Sequence, residues 1–441
     1  MEKYFALLKL GTKYLYRYRR RYGFLLTALI FGFAVVTFIT TTKDGMYNSV
    51  YYSAQAHYAG DIVALAHHSY SSQTHQMGQN EITAILNAAY AAGINPRHTV
   101  KRTLFGGSGV VHFNGIAIRL KYVVGCDWEN ESFLFAEMSF DGEPILPAGD
   151  DGILISAPIA MLLGARIGDS VILEVDTRWG QRNTGVFIVR GIVNDFSIFG
   201  YHKVYVSRLT LNRLILLGDN DSSMVGFFLQ DRRKAEQKRK LLQKALLQEA
   251  AANHFHVGAL VHNRDEMRAE IGRSWNGIKI FLYTLPVYLS EISELMDAMN
   301  ITAYFLYTMM LVIIFASAAV TYKLIIHERT TEMGIMRAIG FYGGDLRLVL
   351  WVEVIVLGLI SLFAGFLLAM LFSLAVSFMS FSWFPSFEIF MNNGRLMPLY
   401  LPGRILINMV SVFLILVAAT LVPSFRVSKK KLTGLLSGEP L

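Results

Sequence analysis

The chain has 441 residues, of which 53% are hydrophobic, with a mean hydropathy of +0.40 and a formal net charge of +8. This composition is too apolar for an ordinary soluble protein of this length and indicates a combination of membrane and soluble parts. Residues 42–300 hold 24 basic and 26 acidic side chains, whereas the rest of the chain holds 17 and 7. The positive excess lies beside the apolar segments, as the positive-inside rule predicts for a membrane protein. This distribution argues against nucleic-acid binding.

Four mostly apolar segments are predicted to cross a membrane as helices. Each is long enough for a hydrocarbon core of ~30 Å, and in chain order they cover 22–42, 298–322, 348–379 and 404–425. The long polar block 43–297 separates the first segment from the second. The predicted fold is therefore membrane α-helical, with four transmembrane helices and a large extracytoplasmic α+β domain inserted between helices 1 and 2.

The distribution of basic residues predicts the orientation. Cations concentrate in three segments, which are therefore placed in the cytoplasm: an amphipathic helix over 1–21, a loop over 323–347 and a tail over 426–441. The block 43–297 and the loop 380–403 then face outward. The first span ends at Lys43 without a small-residue cleavage site, so we interpret it as a signal anchor.

Hydrophobic periodicity and turn residues predict mixed secondary structure within 43–297, arranged as two subdomains. Stalk helices are predicted near 265–300, the last of which continues into the second span. The other predicted helices cover 81–93, 157–163 and 232–252, and the predicted strands include 170–175, 187–193, 203–206, 224–229 and 255–261.

Small residues recur on one face of two spans. Such faces allow helices to approach closely in lipid, although small residues can also simply fill a span, and the candidates for helix packing are Ala28, Gly32, Gly358, Ser361 and Gly365. Glu353 stands at the start of the third span, where a carboxylate is costly in hydrocarbon. Either it stays at the membrane interface, or it pairs with the preceding loop or a neighbouring helix.

The outward block shows no pattern typical of an enzyme or a metal site. Its single cysteine, Cys126, is predicted to be a buried small hydrophobe and not a reactive thiol. Ten of the 11 histidines lie in 43–297, but no recognisable ligand spacing completes the sets His67, His68, His75 and His254, His256. No metal ligand and no catalytic residue is therefore predicted.

The loop over 327–341 has an informative residue order. It reads His-Glu-Arg-Thr-Thr-Glu-Met-Gly-Ile-Met-Arg-Ala-Ile-Gly-Phe. It resembles the signature loop of the MacB/FtsX-type ABC permeases, which carry a Glu-Arg…Glu-Ile-Gly…Arg-Ala-Ile-Gly run; Met333 replaces the usual Ile. The turn Gly168-Asp169 and the run Val189-Arg190-Gly191-Ile192 are similar to the extracytoplasmic core of that family. The resemblance covers most of 150–210 and 295–441, together with the first helix and span.

The resemblance implies a permease subunit that couples ATP hydrolysis to motion of the outward domain. The chain has no G-x-x-x-x-G-K-[ST] run, so the ATPase, with its ATP and Mg, is expected in a separate subunit and this chain is not itself an enzyme. The residues expected to contact that ATPase are Glu328, Arg329, Glu332, Met333, Ile335, Arg337, Ala338 and Gly340.

The family further implies a bacterial cytoplasmic (inner) membrane protein that forms a homodimer or a heterodimer with a paralogous permease. In size the chain is closest to the lipoprotein-releasing LolC/LolE-like permeases, which implies a lipoprotein or another hydrophobic substrate. Two alternatives stay open: an FtsX-like regulator of a cell-wall hydrolase, and a membrane-anchored extracytoplasmic enzyme or sensor.

Overall fold

The computed structural model describes residues 19–68, 76–106, 109–177, 179–195, 200, 202–381, 390–391 and 394–429. Most of the predicted amphipathic helix over 1–21, His75 and most of the predicted tail lie outside these residues. The chain divides into two compact units. The helical unit comprises 1–48, 295–383 and 395–441, and the sheet unit comprises 49–294 and 384–394.

Long helices flank a middle region in which strands alternate with shorter helices. From the first helix to the middle of the sheet the elements are α1 (Arg19–His57), β1 (Ile62–His68), α2 (Gln79–Ala91), β2 (Pro96–Gly106), β3 (Val110–Phe113), β4 (Ile116–Arg119), β5 (Tyr122–Cys126), α3 (Ser132–Glu137), β6 (Gly152–Ser156), α4 (Ala157–Leu163), β7 (Ser170–Asp176), β8 (Arg182–Val193) and β9 (Lys203–Ser207). The remainder are α5 (Arg208–Leu214), β10 (Met224–Leu229), α6 (Ala235–Asn253), β11 (His256–Val257), α7 (Arg264–Ile271), β12 (Ile278–Thr284), α8 (Leu285–Tyr288), α9 (Ser290–Glu328), α10 (Thr330–Ala338), α11 (Gly343–Phe378) and α12 (Pro402–Lys429).

Among the described residues, four helices are long and apolar enough to cross a membrane. They are α1, α9, α11 and α12, with candidate spans at Tyr22–His57, Ile292–Glu328, Gly343–Phe378 and Pro402–Val427. Three of them, α1, α9 and α12, extend beyond both ends of the apolar segments read from the sequence, and α1 continues past Lys43 to His57. Helix α11 begins before its predicted segment and ends at Phe378. Four spanning helices with a mixed α and β domain between the first and the second confirm the predicted fold class.

The four long helices share one hydrophobic core. Its buried side chains come from every helix and include Leu25, Phe33, Ile314, Tyr322, Leu350, Leu357 and Leu416. Three of the small residues singled out in the sequence lie at helix contacts. A Cβ added at Gly32 would lie 2.6 Å from Ile314 Cγ1, and one at Gly365 would lie 2.7 Å from the carbonyl oxygen of Ile30.

The third glycine and the two other small residues complete this set. A Cβ at Gly358 would lie 3.1 Å from Leu416 Cδ2, so α11 approaches α12 closely there. Ser361 is buried, and its hydroxyl donates to the Leu357 carbonyl of its own helix at 2.6 Å. Ala28 is half-buried.

The described strands of the sheet unit form one mixed sheet. Its order is β11-β12-β1-β10-β2-β5-β9-β6-β8-β7-β3-β4. Most neighbours are antiparallel, whereas β11 with β12, β5 with β9, and β6 with β8 are parallel. Strands distant in sequence are therefore neighbours: Ile62 of β1 is opposite Phe227 of β10 on one side and Thr284 of β12 on the other.

Two of the hydrophobic cores of the sheet unit pack against helices on different parts of this sheet. One lies beneath β6 to β9, where α4 and α5 pack, and includes Ile155, Ile159, Leu173, Val189 and Leu211. The other lies beneath β1, β10 and β12, where α2 and α6 pack, and includes Ile82, Ile85, Phe227, Leu242 and Leu246. The sheet is thus continuous, while its two halves are stabilised by separate sets of helices.

Candidate functional site

A short helix, α10, connects the second and third spans at one end of the helical unit. Arg329 interrupts the helical backbone with φ −100° and ψ 7°, which separates α9 from α10. Gly340 ends the turn after α10 with φ +105°, a conformation that favours glycine. The Asp345 carboxylate then accepts a hydrogen bond from the Tyr342 N–H at 3.1 Å and caps α11. Both ends of α10 are therefore locally defined.

One face of α10 is buried in the helical unit. Met333 is 2% exposed and belongs to the core shared by the four long helices. Thr330 and Gly334 lie on the same inward side and are also buried. Burial of this face fixes α10 against the spans through apolar contact.

A cluster of three buried polar side chains holds the start of α10 to two spans. Arg329 Nη1 donates to both carboxylate oxygens of Glu353 on α11, at 3.0 and 2.8 Å, and contacts the Tyr22 hydroxyl of α1 at 2.9 Å. The Tyr22 hydroxyl donates to Glu353 Oε2 at 2.6 Å. We call Tyr22, Arg329 and Glu353 the buried charge cluster.

Burial makes the pairing of charges in this cluster important for stability. Glu353 is 0% exposed and Arg329 is 2% exposed, so neither charge is well solvated. A carboxylate so placed requires an opposite charge and hydrogen bonds to offset desolvation. The structure thus shows Glu353 paired with the loop that precedes its helix, one of the two alternatives left by the sequence. Glu332, half-buried, adds a longer contact of 3.8 Å from its Oε2 to Arg329 Nε.

The opposite face of α10 is exposed and apolar. Ile335 is 50% exposed, and Ile339, in the turn that follows the helix, is 75% exposed. Ala338 is exposed between them, three residues beyond Ile335 and therefore on the same face. We call Ile335, Ala338 and Ile339 the exposed ridge.

The residues expected to contact an ATPase fall into two groups. Exposed or half-buried positions, which can meet another protein, are Glu328, Glu332, Ile335, Arg337, Ala338 and Gly340. Arg329 and Met333 are instead buried against the spans and cannot present a surface in this conformation. Their structural role is to fix α10 from inside.

Sequence reasoning did not identify Tyr22. The isolated carboxylate of Glu353 was a signal that a partner exists, and Arg329 was a nearby cation. Nothing in the sequence connects Tyr22 with a carboxylate 331 residues away.

In the sheet unit, the predicted burial of Cys126 is confirmed. Its side chain is buried, and the thiol donates to the Val206 carbonyl at 3.3 Å. Burial raises the pKa of the Cys126 thiol, which disfavours the reactive thiolate. Within the described residues, no three His, Cys, Asp or Glu side chains lie close enough together to hold a metal ion.

A comparison with known protein families finds a match within the helical unit. Residues 304–432, which include α10 to α12, match the family described as FtsX-like permease C-terminal. No curated protein sequence matches the chain. This match confirms the resemblance to the MacB/FtsX-type permeases over residues 304–432, and the four long apolar helices fit a multi-pass membrane protein.

Two solved structures are similar in part. The periplasmic region of MacB from Actinobacillus actinomycetemcomitans has a TM-score of 0.29 and 10% identity, covering 54% of this chain and 95% of that one. A permease-protein domain from Porphyromonas gingivalis has a TM-score of 0.28 and 15% identity, covering 45% of this chain and 85% of that one.

Proposed function

We propose that this chain is the permease subunit of an ABC transporter and that a separate ATPase docks on α10. The observation that carries the proposal is the two-sided character of α10: its exposed ridge points away from the helical unit, while its other face is fixed to the spans. The ATPase subunit binds ATP and Mg, and this chain itself catalyses no reaction. The family match over 304–432 supports a role of this type.

The buried charge cluster explains how force on α10 reaches the spans. Arg329 bonds Glu353 on α11 and Tyr22 on α1, so displacement of α10 pulls on two spans at once. Charge-assisted hydrogen bonds in a water-poor environment are stronger than those at the surface, because the local dielectric is low. The spans then transmit this movement to the outward domain as mechanical work.

In the proposed arrangement, both termini and α10 face the cytoplasm and the sheet unit faces the periplasm or exterior of a bacterial cytoplasmic membrane. The permease works as a homodimer or as a heterodimer with a paralogue.

Its substrate is a lipoprotein or another hydrophobic molecule, extracted or expelled by motion of the outward domain. We therefore expect cells depleted of this protein to retain lipoproteins in the cytoplasmic membrane, which membrane fractionation detects. A lipoprotein distribution equal to that of undepleted cells would contradict this substrate class.

Docking is tested by replacing Ile335 and Ile339 together with Asp. The two charges disrupt an apolar contact, so we expect the tagged full-length protein to lose its co-purifying ATPase. The thermal unfolding temperature should stay at the wild-type value, because both side chains are exposed. The matched control is Met161→Asp, the same kind of change at a 69% exposed position on α4 of the sheet unit.

Charge reversal tests the acidic side of the same surface. We expect Glu328→Lys with Glu332→Lys to abolish transport while membrane insertion is retained.

The docking experiment with the two Asp substitutions also has a contradicting outcome. An ATPase retained in wild-type stoichiometry by the Ile335→Asp, Ile339→Asp protein would contradict docking on α10.

A further inference from the structure

A pocket that is lined by both apolar and charged side chains lies between three spans, at the end of the helical unit away from α10. It has a volume of about 230 Å³ and is lined by Thr40, Lys43, Ala303, Tyr304, Tyr307, Arg404, Ile407 and Asn408. Lys43 and Tyr22 lie on the same helix and are 21 residues apart, which corresponds to ~30 Å along the axis. The pocket and the buried charge cluster are therefore at opposite ends of the apolar segment 22–42 of α1.

The pocket carries an excess of positive charge. Lys43 Nζ lies 3.4 Å from Asp44 Oδ1, and Arg404 Nε lies 3.3 Å from Asp44 Oδ2. Two cations thus share one carboxylate, and one positive charge is left without a counter-charge in this group. The Lys43 side chain is only 8% exposed, so its ammonium is poorly hydrated and favours an anionic partner.

The depth of the pocket corresponds to the headgroup layer of a membrane. Lys43 is the first charged residue after the apolar run of the first span, and Arg404 is the last before that of the fourth. Tyr304 and Tyr307 supply the amphipathic rings that are typical of this layer. Lys43 Nζ lies 5.0 Å from the Tyr304 ring centroid, so aromatic and cationic groups occupy the same level.

An exposed apolar track leads away from the pocket along α12. Its residues are Ile407, Val410 and Leu414, which are 60%, 49% and 59% exposed and recur at helical spacing. Ile407 also lines the pocket. The volume of about 230 Å³ is below the ~300–1,000 Å³ of pockets that enclose a whole small molecule. The pocket is therefore suited to a headgroup whose chains remain outside.

We propose that this pocket binds the phosphate headgroup of an anionic membrane phospholipid. The phosphate lies between Lys43 and Arg404, and an acyl chain follows Ile407, Val410 and Leu414. Basic pockets between spanning helices are known to bind anionic lipid headgroups on the cytoplasmic side of membranes. This pocket offers the same kind of positive charge at the opposite side. The bound lipid stabilises the contact between α1, α9 and α12 at this end. The proposal does not depend on the docking of an ATPase.

Native mass spectrometry of the full-length chain in mild detergent tests the proposal. We expect the wild-type protein to retain phosphatidylglycerol in preference to phosphatidylcholine, and added phosphatidylglycerol to raise its unfolding temperature. The Lys43→Gln, Arg404→Gln protein should retain at least fivefold less phosphatidylglycerol. Arg395→Gln, which removes an exposed cation that does not line the pocket, should behave as wild type.

Two further variants keep the test decisive if the double variant folds poorly. Ile407→Trp fills the pocket without changing its charge and should also lose the lipid. Arg404→Lys keeps the charge and should retain it. Equal retention by wild-type and Lys43→Gln, Arg404→Gln proteins overturns the proposal. Displacement of the lipid by excess inorganic phosphate, with the same thermal shift from phosphate alone, also overturns it by identifying a site for soluble anions.

Discussion

Glu353 and Arg329 stabilise the helical unit only as a pair. Removal of one partner leaves a buried charge without compensation, a change that typically costs about 3–5 kcal/mol. We therefore expect Glu353→Leu or Arg329→Met alone to lower the unfolding temperature sharply. The double variant should be clearly more stable than either single variant, because it buries no unpaired charge. A double-mutant cycle on thermal unfolding in detergent measures this, and additive losses would contradict the pairing.

Tyr22 is the neutral member of the same cluster. Tyr22→Phe removes one hydroxyl that contacts both charges but leaves the Arg329–Glu353 pair intact. We expect a loss of about 1–3 kcal/mol in the free energy of unfolding, because a buried hydrogen bond to charged groups is removed. The control is Tyr90→Phe at an 85% exposed position, which should have no measurable effect.

Lys203 makes the stability of the sheet unit depend on pH. Burial and the nearby Arg102 lower the pKa of Lys203 to about 7, and its Nζ lies 3.0 Å from His57 Nδ1. In the unfolded chain a lysine titrates near ~10.4. Between these two values the unfolded state binds more protons, so the free energy of unfolding rises with pH. Unfolding temperatures measured at about pH 7 and about pH 9 should show this rise.

Substitution of Lys203 separates its contribution to the pH dependence of stability from the contributions of other titratable groups. Lys203→Met should be more stable than wild type at about pH 7 and should lose most of the rise toward pH 9, because no buried ammonium needs to be neutralised. Lys240→Met, at an exposed position on α6, should keep the wild-type pH dependence. If the Lys203→Met protein shows the wild-type pH dependence, Lys203 is not its source.

At the scale of single elements, close helix contacts distinguish one glycine from another. A Cβ at Gly365 would lie 2.7 Å from the backbone oxygen of Ile30, so α1 and α11 must move apart. We expect Gly365→Ala to cost roughly 1–3 kcal/mol. Gly23→Ala, on α1 with no atom within 4 Å of the new Cβ, should be neutral or slightly stabilising. Thermal unfolding in one detergent compares the two, and equal losses would contradict close packing at Gly365.

The elements also show what the sequence could and could not predict. The residue order of 327–341 indicated a contact loop, but apolar side chains lie on both faces of the helix α10 within it: Met333 is buried, whereas Ile335 and Ile339 are exposed. Hydrophobicity alone does not say which face packs inward. The charge of Glu353 indicated a partner because an unpaired carboxylate is costly. The tyrosine in the cluster depends on a contact across 331 residues, for which the sequence carries no local signal.

The sheet, too, could be predicted from the sequence only in part. Strands near 170–175, 203–206 and 224–229 were predicted from local patterns and correspond to β7, β9 and β10. The predicted strand 255–261 is reduced to the two residues of β11, and the segment near 265–300, predicted as stalk helices, contains the strand β12. Their order in the sheet was not predictable, since β1 pairs with β10 and β12, both more than 150 residues later. Pairings of that kind are decided by burial of whole faces and not by neighbouring residues.

For the whole molecule, the proposed orientation places Ala338 and Tyr90 on opposite sides of the membrane. Ala338 is exposed on α10, and Tyr90 is 85% exposed on α2. We expect a membrane-impermeant maleimide to label Tyr90→Cys in spheroplasts, and to label Ala338→Cys only after the membrane is opened. The wild-type protein is the control, because its Cys126 is 1% exposed and should react only after denaturation. The reverse labelling pattern would place the sheet unit in the cytoplasm, where the positive charge beside the spans would lie on the wrong side.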